Sequence, residues 1–207
     1  DKVLRSSQPF DNDLIAQAQQ QGLVVAQQMQ FDSMLFAADT MQLATIKAVS
    51  SSYPLRGQLV LEAAEYTGGG AEVALTAGQV FFEARLFDLL KVRVGDDIEL
   101  GMSRLKVGGV IVNEPDAPLS VFGGAPRVLM HIDDVAATQI VQPGSRIGYR
   151  YLFAGDSASL LQFEQDITPG LTSHQRWQEM DRQSAIGSAV ERAERFLLLA
   201  GLLGIVL

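Results

Sequence analysis

Cysteine is absent from the 207 residues of this chain, which excludes disulfide bonds and thiolate metal sites. The chain also lacks a basic run, and its formal net charge is −8. Nucleic-acid binding depends on Lys and Arg side chains that neutralise phosphates, so this composition argues against a nucleic-acid partner. Simple adsorption to anionic lipid is disfavoured for the same reason.

A signal-peptide pattern is missing at the first residues, and residue 1 is Asp rather than Met. We therefore expect the chain to be part of a longer protein. Its apolar fraction of 47% and charged fraction of 19% are typical of a folded protein, not of a disordered polymer. The length fits one large domain or two small ones, with enough residues for a hydrophobic core.

Catalytic motifs are scarce. The two histidines, His131 and His174, are far apart and belong to no H-E-x-x-H or H-x-H pattern. Ser157 follows Gly155 but lacks the second glycine of a G-x-S-x-G nucleophile elbow. We predict no catalytic, cofactor-binding or metal-binding residue and no cofactor. A soluble hydrolase with an unrecognised site is the least favoured alternative.

Paired carboxylates and a glycine run are the other candidate sites. Asp96 and Asp97 lie in a predicted turn, and Asp133 and Asp134 at a predicted helix start. Such pairs act as acid and base only where their environments separate their pKa values, so we favour solvated carboxylates. No Lys-Ser/Thr follows Thr67–Gly70, which argues for a flexible turn over a phosphate-binding loop.

Hydrophobic periodicity predicts an α+β fold. The predicted helices cover 11–22, 80–91 and 157–167, and the predicted strands cover 23–36, 41–50, 59–63, 128–132, 145–155 and 172–180, with a hairpin that turns at 101–103. The strand, helix and strand of 145–180 form a βαβ-like unit. We predict a split α+β domain made of 1–65 and 145–183, with a smaller β-rich insertion at 66–144.

The last segment, 184–207, has the pattern of a stalk helix that runs into a membrane helix. It begins with an apolar stripe and a charged back, but from Phe196 every residue is apolar or Gly. Twelve residues are too few for a full span, which takes about 20. A C-terminal helix buried in the core is the alternative. The predicted membrane-entering residues are Phe196, Leu197, Leu198, Leu199, Leu202, Leu203, Ile205, Val206 and Leu207.

Three stretches together resemble the first extracytoplasmic domain of YbbP-type ABC-transporter permeases, in the wider group of MacB, FtsX and the lipoprotein-releasing permeases. They are TIKAVSSSYPLRGQL (45–59), GQVFFEARLFDLLKVRVGDDIELGMSRLKVGGVIVNEPD (78–116) and PGSRIGYRYLFAG (143–155). The Leu-x-Val-Gly-Asp-x-Ile-x-Leu-Gly element, which this chain carries at 92–101 with Val92 in the first position, is common to the whole group. Two elements are more specific to the YbbP-like branch: Tyr53–Gly57, and Gly144–Arg146 with Tyr149.

The resemblance implies an architecture like the MacB periplasmic domain, with a split porter-like part and a β-rich insertion. It also implies a non-catalytic domain at the bacterial inner membrane, on the periplasmic or outer side. The implied partners are a cytoplasmic ABC ATPase, a second permease half, the lipid bilayer through flanking helices, and a periplasmic thioesterase/lysophospholipase. The domain would couple ATP hydrolysis to export or extraction of a hydrophobic or lipid-like substrate. An FtsX-like module that activates a periplasmic hydrolase without transport is the alternative.

Overall fold

Residues 1–117, 124–142 and 144–179 are described by a computed structural model. Within them the strands are β1 (Lys2–Ser6), β2 (Val24–Ala37), β3 (Thr40–Val49), β4 (Val60–Glu62), β5 (Gln79–Phe82), β6 (Asp97–Leu100), β7 (Ser103–Asn113), β8 (Arg127–His131), β9 (Gly148–Ala154) and β10 (Gln175–Glu179). The helices are α1 (Asn12–Gln20), α2 (Arg85–Leu90), α3 (Val135–Thr138) and α4 (Ser157–Ile167).

These strands form one mixed sheet in the order β10-β1-β9-β2-β3-β8-β5-β7-β4. The short strand β6 pairs with both β2 and β7. Six strands, β2, β3, β8, β5, β7 and β6, therefore close into a ring of hydrogen-bonded neighbours. Strands β9, β1 and β10 extend from this ring as an antiparallel wing.

Strand β2 belongs to both parts of the sheet because it is 14 residues long. Its first half, residues 24–30, pairs with β9, and residues 28–37 pair with β3 in the ring. The hairpin that joins β2 to β3 turns at Ala38, whose φ of 45° is left-handed. A single continuous strand thus connects the wing rigidly to the ring.

Both faces of the sheet are buried over much of their area. The inner face holds the larger apolar cluster, which includes Phe31, Ile46, Phe82 and Ile98. A second cluster on the outer face includes Phe81 and Leu129 and is covered by side chains from the segment 53–75. Successive residues of a strand point to opposite faces, so Phe81 and Phe82 contribute to different clusters.

Helix α4 covers the inner face of the wing. It begins at the N-cap Asp156, whose carboxylate accepts hydrogen bonds from the N–H groups of Ala158 and Ser159 at 3.0 Å. Its Phe163 lies 4.9 Å from Phe153 of β9, measured between ring centroids. Strands β9 and β10 are both antiparallel to β1, which lies between them. The unit β9-α4-β10 is therefore a split βαβ.

The α+β fold predicted from the sequence is confirmed. Within the predicted helix at 80–91, however, residues 80–82 belong to strand β5, and only 85–90 are helical. The periodicity is misleading there because β5 is buried on both faces and lacks apolar–polar alternation. Strand β1 was not predicted.

The predicted boundaries at 65/66 and 144/145 stay a prediction. Strand β8, from the proposed insertion, pairs in parallel with β3, so both parts share one sheet. The predicted stalk helix at 184–207 and its membrane-entering residues Phe196–Leu207 lie outside the described residues. Among the residues that are described, no helix is long and apolar enough to cross a membrane.

Candidate functional site

A charged cleft of about 450 Å³ opens on the outer face of the sheet, where the wing meets the ring. Five cationic and three acidic side chains line it, an excess of cations in a chain whose net charge is −8. They are Arg5, Lys47, Arg85, Arg127 and Arg150 together with Glu83, Glu114 and Asp116. The outer-face positions of several neighbouring strands bring these residues together although they are distant in the sequence.

Lys47 lies at the centre of the part of the cleft that the ring strands form. It is only 8% exposed, and strand β3 directs it to the outer face, opposite its buried neighbours Ile46 and Ala48. Its Nζ donates hydrogen bonds to Glu114 Oε1 at 2.6 Å, Asp116 Oδ1 at 2.5 Å and Tyr53 Oη at 2.8 Å. All three protons of the ammonium group are therefore satisfied.

A second set of ion pairs extends this network toward β8 and β5. Arg127 Nη1 donates to Glu114 Oε2 at 2.5 Å, and Arg127 Nε lies 3.4 Å from Glu83 Oε2. Arg85 Nε then pairs with Glu83 Oε1 at 2.6 Å. Each acid of the cleft thus has a cationic partner. The network ties the segment around 114–116 and the Tyr53 loop to the sheet.

The electrostatics of the network exclude Tyr53 as a base or nucleophile at neutral pH. Burial and the nearby carboxylates of Asp116 and Glu114 raise the pKa of Tyr53 well above its usual value, so the phenol stays protonated. Burial opposes ionisation of Asp116, but the charge and hydrogen bond of Lys47 outweigh it and lower the pKa of Asp116. The acidic side chains of the cleft are thus held in ion pairs, which fix their positions relative to the sheet.

Ser51, His131 and Asp133 lie together in the order of a hydrolase triad. Ser51 Oγ is 2.9 Å from His131 Nε2, and His131 Nδ1 is 3.4 Å from Asp133 Oδ2. The backbone N–H of Asp133, however, donates to Nδ1 at 3.3 Å. While Nδ1 accepts this bond, the ring N–H is on Nε2 and faces Ser51 Oγ. This is the reverse of the tautomer that activates a serine.

The remaining residues considered from the sequence are separate from one another. His174 is exposed in the turn before β10. Asp96 accepts a hydrogen bond from the N–H of Arg93, and Asp97 pairs with Lys106. Asp134 accepts from the N–H of Gly78 at 2.7 Å. These carboxylates serve turns and a surface pair.

The backbone N–H groups of the glycine run, Gly68–Gly70, bind a carboxylate of the chain itself. Glu62 Oε2 accepts hydrogen bonds from the N–H groups of Gly68, Gly69 and Gly70 at 3.0, 3.2 and 3.3 Å. These bonds, chiefly that from Gly70, lower the pKa of Glu62. The run is thus a turn closed on a side chain.

Sequence reasoning missed the cleft. One signal was available: Lys47 and Tyr53 lie within the 45–59 stretch that carries the YbbP-like resemblance. A lysine between the apolar residues of a strand predicts a buried cation that needs acidic partners. Which acids supply them depends on the fold, since Glu114 and Asp116 are more than 60 residues away. Within the described residues, no group of three or more His, Asp or Glu could hold a metal ion.

Comparison with known proteins gives a coherent result. The chain is 38% identical, over its whole length, to the ABC transporter permease YbbP of Escherichia coli (strain K12), and it spans 25% of that protein. No family model matches. The fold is similar to the extracellular domain of the noncanonic ABC-type transporter YknZ from Gram-positive bacteria, with a TM-score of 0.57, 9% identity, and coverage of 86% of this chain and 100% of that one.

The periplasmic region of MacB from Actinobacillus actinomycetemcomitans is also similar, with a TM-score of 0.55, 11% identity and 92% of each chain covered. At these identities the two structures show the fold alone. The relation to YbbP comes from the sequence identity. Together they confirm the resemblance stated above: the chain is similar to the YbbP-like permeases and has the fold of MacB-type extracytoplasmic domains.

Proposed function

We propose that this chain is the extracytoplasmic domain of an ABC-transporter permease and couples cytoplasmic ATP hydrolysis to export or extraction of a hydrophobic substrate. The similarity to YbbP over the whole chain supports the assignment to a permease. The likeness to the MacB and YknZ domains supports an extracytoplasmic location. The chain itself contributes coupling and has no chemistry of its own. The ATPase is a separate subunit or domain, and a second permease half completes the transporter.

The observation that carries this proposal is the pairing of β1 with β10. Lys2 lies directly opposite Glu179 in an antiparallel register. Residues so paired have Cα atoms about 5 Å apart. Residues 2 and 179 therefore lie side by side, a geometry that suits an insertion between two consecutive membrane helices. A displacement of those helices would act on adjacent strands of the wing.

The fold transmits such a displacement well. The wing strands β10, β1 and β9 continue into β2 without a break in the hydrogen-bonded sheet, and β2 continues into the ring. A connected sheet moves as one body, because shearing it would break ladder hydrogen bonds and separate packed side chains. A pull at Lys2 and Glu179 would thus reach the charged cleft and the ring.

The substrate class and the remaining partner are part of the proposal. A lipid-like substrate and a periplasmic thioesterase/lysophospholipase fit the YbbP-like relationship stated from the sequence. A direct assay follows the ATP-dependent release of a fluorescent phospholipid analogue from proteoliposomes that contain the full-length permease and its ATPase. Release that needs ATP supports transport. ATP-dependent stimulation of the hydrolase with no release would instead support the activator.

Location is tested separately, and the absence of cysteine from the chain makes this simple. Met102 is 77% exposed, so a Met102→Cys variant presents an accessible thiol. In intact spheroplasts, with the rest of the permease free of cysteine, a membrane-impermeant maleimide should label this variant. Ala48→Cys, at a fully buried position, is the matched control and should react only after denaturation. Labelling of Met102→Cys only after the membrane is permeabilised would overturn the location.

A further inference from the structure

Two arginines in the wing half of the cleft differ from its other cations. Arg5 of β1 and Arg150 of β9 are directly opposite each other in the antiparallel register. The other three cations, Lys47, Arg85 and Arg127, all pair with carboxylates. Among the described residues no carboxylate lies within ion-pair distance of Arg5 or Arg150. Like charges placed directly opposite in a sheet repel each other.

The surroundings of this pair are built for a polar ligand. Arg5 Nε is buried and has no hydrogen-bond partner among the described residues. Gln28 of β2 is paired with Arg150 on its other side, is only 2% exposed, and has an Oε1 atom that is likewise buried and without a partner. All three side chains line the same cleft. Unsatisfied buried polar atoms are uncommon and costly. Here two such atoms, Arg5 Nε and Gln28 Oε1, belong to the residues on either side of Arg150 in the sheet.

We propose that Arg5, Arg150 and Gln28 form a binding site for a phosphate monoester. The two guanidinium forks match phosphate oxygens, which Arg contacts through paired N–H donors. Gln28 Oε1 would accept a hydrogen bond from a hydroxyl of the phosphate or of the group that it esterifies. A phosphate monoester carries a charge of about −1.5 to −2 at pH 7. The cleft has an excess of two cations over acids, so this charge balances it.

The electrostatics of the arginine pair agree with the assignment. Burial and the neighbouring Arg150 lower the pKa of Arg5, so both factors disfavour its charged form until an anion is present. A bound phosphate anion would reverse the repulsion and satisfy the buried donor. The source of the phosphate rests on the proposed function: a lipid-like substrate would bring it as a headgroup, whereas a soluble phosphate compound would bring it from the periplasm.

Isothermal titration of the 207-residue chain at low ionic strength tests the site. The probes are inorganic phosphate, glycerol 3-phosphate and dihexanoyl phosphatidic acid below its micellar concentration. We expect binding of phosphate-bearing probes that Arg150→Gln and Arg5→Gln each weaken by at least tenfold. Arg104→Gln is the control, because Arg104 is an exposed residue outside the cleft, paired with Glu99. An equal effect of all three variants would show that binding depends only on the overall charge of the chain, and it would overturn the proposed site.

The same titration identifies the source. A preference of at least tenfold for dihexanoyl phosphatidic acid over glycerol 3-phosphate points to a lipid headgroup, and equal binding points to a soluble phosphate. Both results support phosphate recognition. Tighter binding of a tetraglutamate peptide than of every phosphate probe would overturn it in favour of an acidic protein partner. The release assay does not depend on this titration. A negative titration would therefore overturn the phosphate site without affecting the proposed coupling function, and a negative release assay would not affect the phosphate site.

Thermal denaturation gives a second readout that a purely structural role would not produce. Without phosphate, Arg150→Gln should raise the melting temperature, since it removes the repulsion with Arg5. With phosphate, the wild-type chain should gain stability and the variant should not. If Arg150→Gln lowers the melting temperature and phosphate stabilises neither form, the arginine pair supports the fold and binds no anion.

Discussion

Replacing Lys47 with methionine should destabilise the domain strongly, although the two side chains have similar length and apolar stems. The substitution leaves Glu114, whose side chain is 4% exposed, and Asp116, at 27%, without their shared cation. Removing one partner of a buried ion pair costs about 3–5 kcal/mol. We expect the lower end, about 3 kcal/mol, because Arg127 still neutralises Glu114 and water reaches Asp116.

The loss should depend on pH in a defined direction. The pKa of Asp116 is lower in the folded chain than its ordinary value of 3.8, so its stabilising contribution is complete above about pH 4 and disappears as the pH falls further. The difference between the wild type and Lys47→Met should therefore be largest at neutral pH and shrink in acid. The double variant Lys47→Met/Asp116→Asn should recover part of the loss, since it removes the uncompensated charge.

Urea denaturation followed by tryptophan fluorescence measures this well. The single tryptophan of the chain, Trp177, packs on Phe153 with 5.8 Å between ring centroids, so it reports unfolding of the sheet at a distance from Lys47. For a chain of this size, 3 kcal/mol corresponds to a fall in melting temperature of about 6–12 °C. The control is Lys106→Met, which removes an exposed pair with Asp97 and should cost about 0–1 kcal/mol. A Lys47→Met loss equal to the control, or unchanged between pH 7 and acid, would refute the role of the buried network.

Three further predictions concern the loops and the terminal segment. Gly109→Ala should cost about 3 kcal/mol or more in urea denaturation, because φ is +150° there and a Cβ would lie 1.8 Å from the carbonyl oxygen of Glu62; a loss below 1 kcal/mol would contradict the close packing of β4 on β7. Glu62→Gln should speed amide hydrogen exchange at Gly68–Gly70 at pH 7, whereas unchanged exchange would mean that the carboxylate does not order the turn. Deletion of Phe196–Leu207 should reduce self-association in sedimentation measurements and leave the melting transition in place, since apolar surface favours association; unfolding on deletion would show that the run belongs to the core.

The sequence predicts the elements of this fold better than their pairing. Alternation along β3 and the helical spacing of apolar residues at 157–167 are local signals, and both mark real elements. Strand β5 has no such signal, because Phe81 and Phe82 serve two different apolar clusters and no polar residue alternates with them. The closure of the ring by β6 depends on contacts between residues more than 60 positions apart, which no local pattern encodes.

The cleft shows the same limit at the level of side chains. Gln28 is a polar residue of β2 on the face opposite Met29 and Phe31, yet it is 2% exposed. The outer face is buried at this point because the sheet continues on both sides and the segment 53–75 covers part of it. Arg5 lies in the strand that was not predicted. Its position opposite Arg150 therefore became visible only with the register of the wing.

The coupling role is tested most directly by removing the folded domain from the full-length permease. Lys2 and Glu179 are adjacent, so a short Gly-Ser linker can replace residues 2–179 with little displacement of the flanking chain. ATP hydrolysis and ATP-dependent release of the phospholipid analogue would then be measured in the same proteoliposomes. We expect basal ATP hydrolysis to persist and release of the phospholipid analogue to be lost, so that hydrolysis is no longer coupled to release. Undiminished release by the deleted permease would contradict a coupling function for this domain.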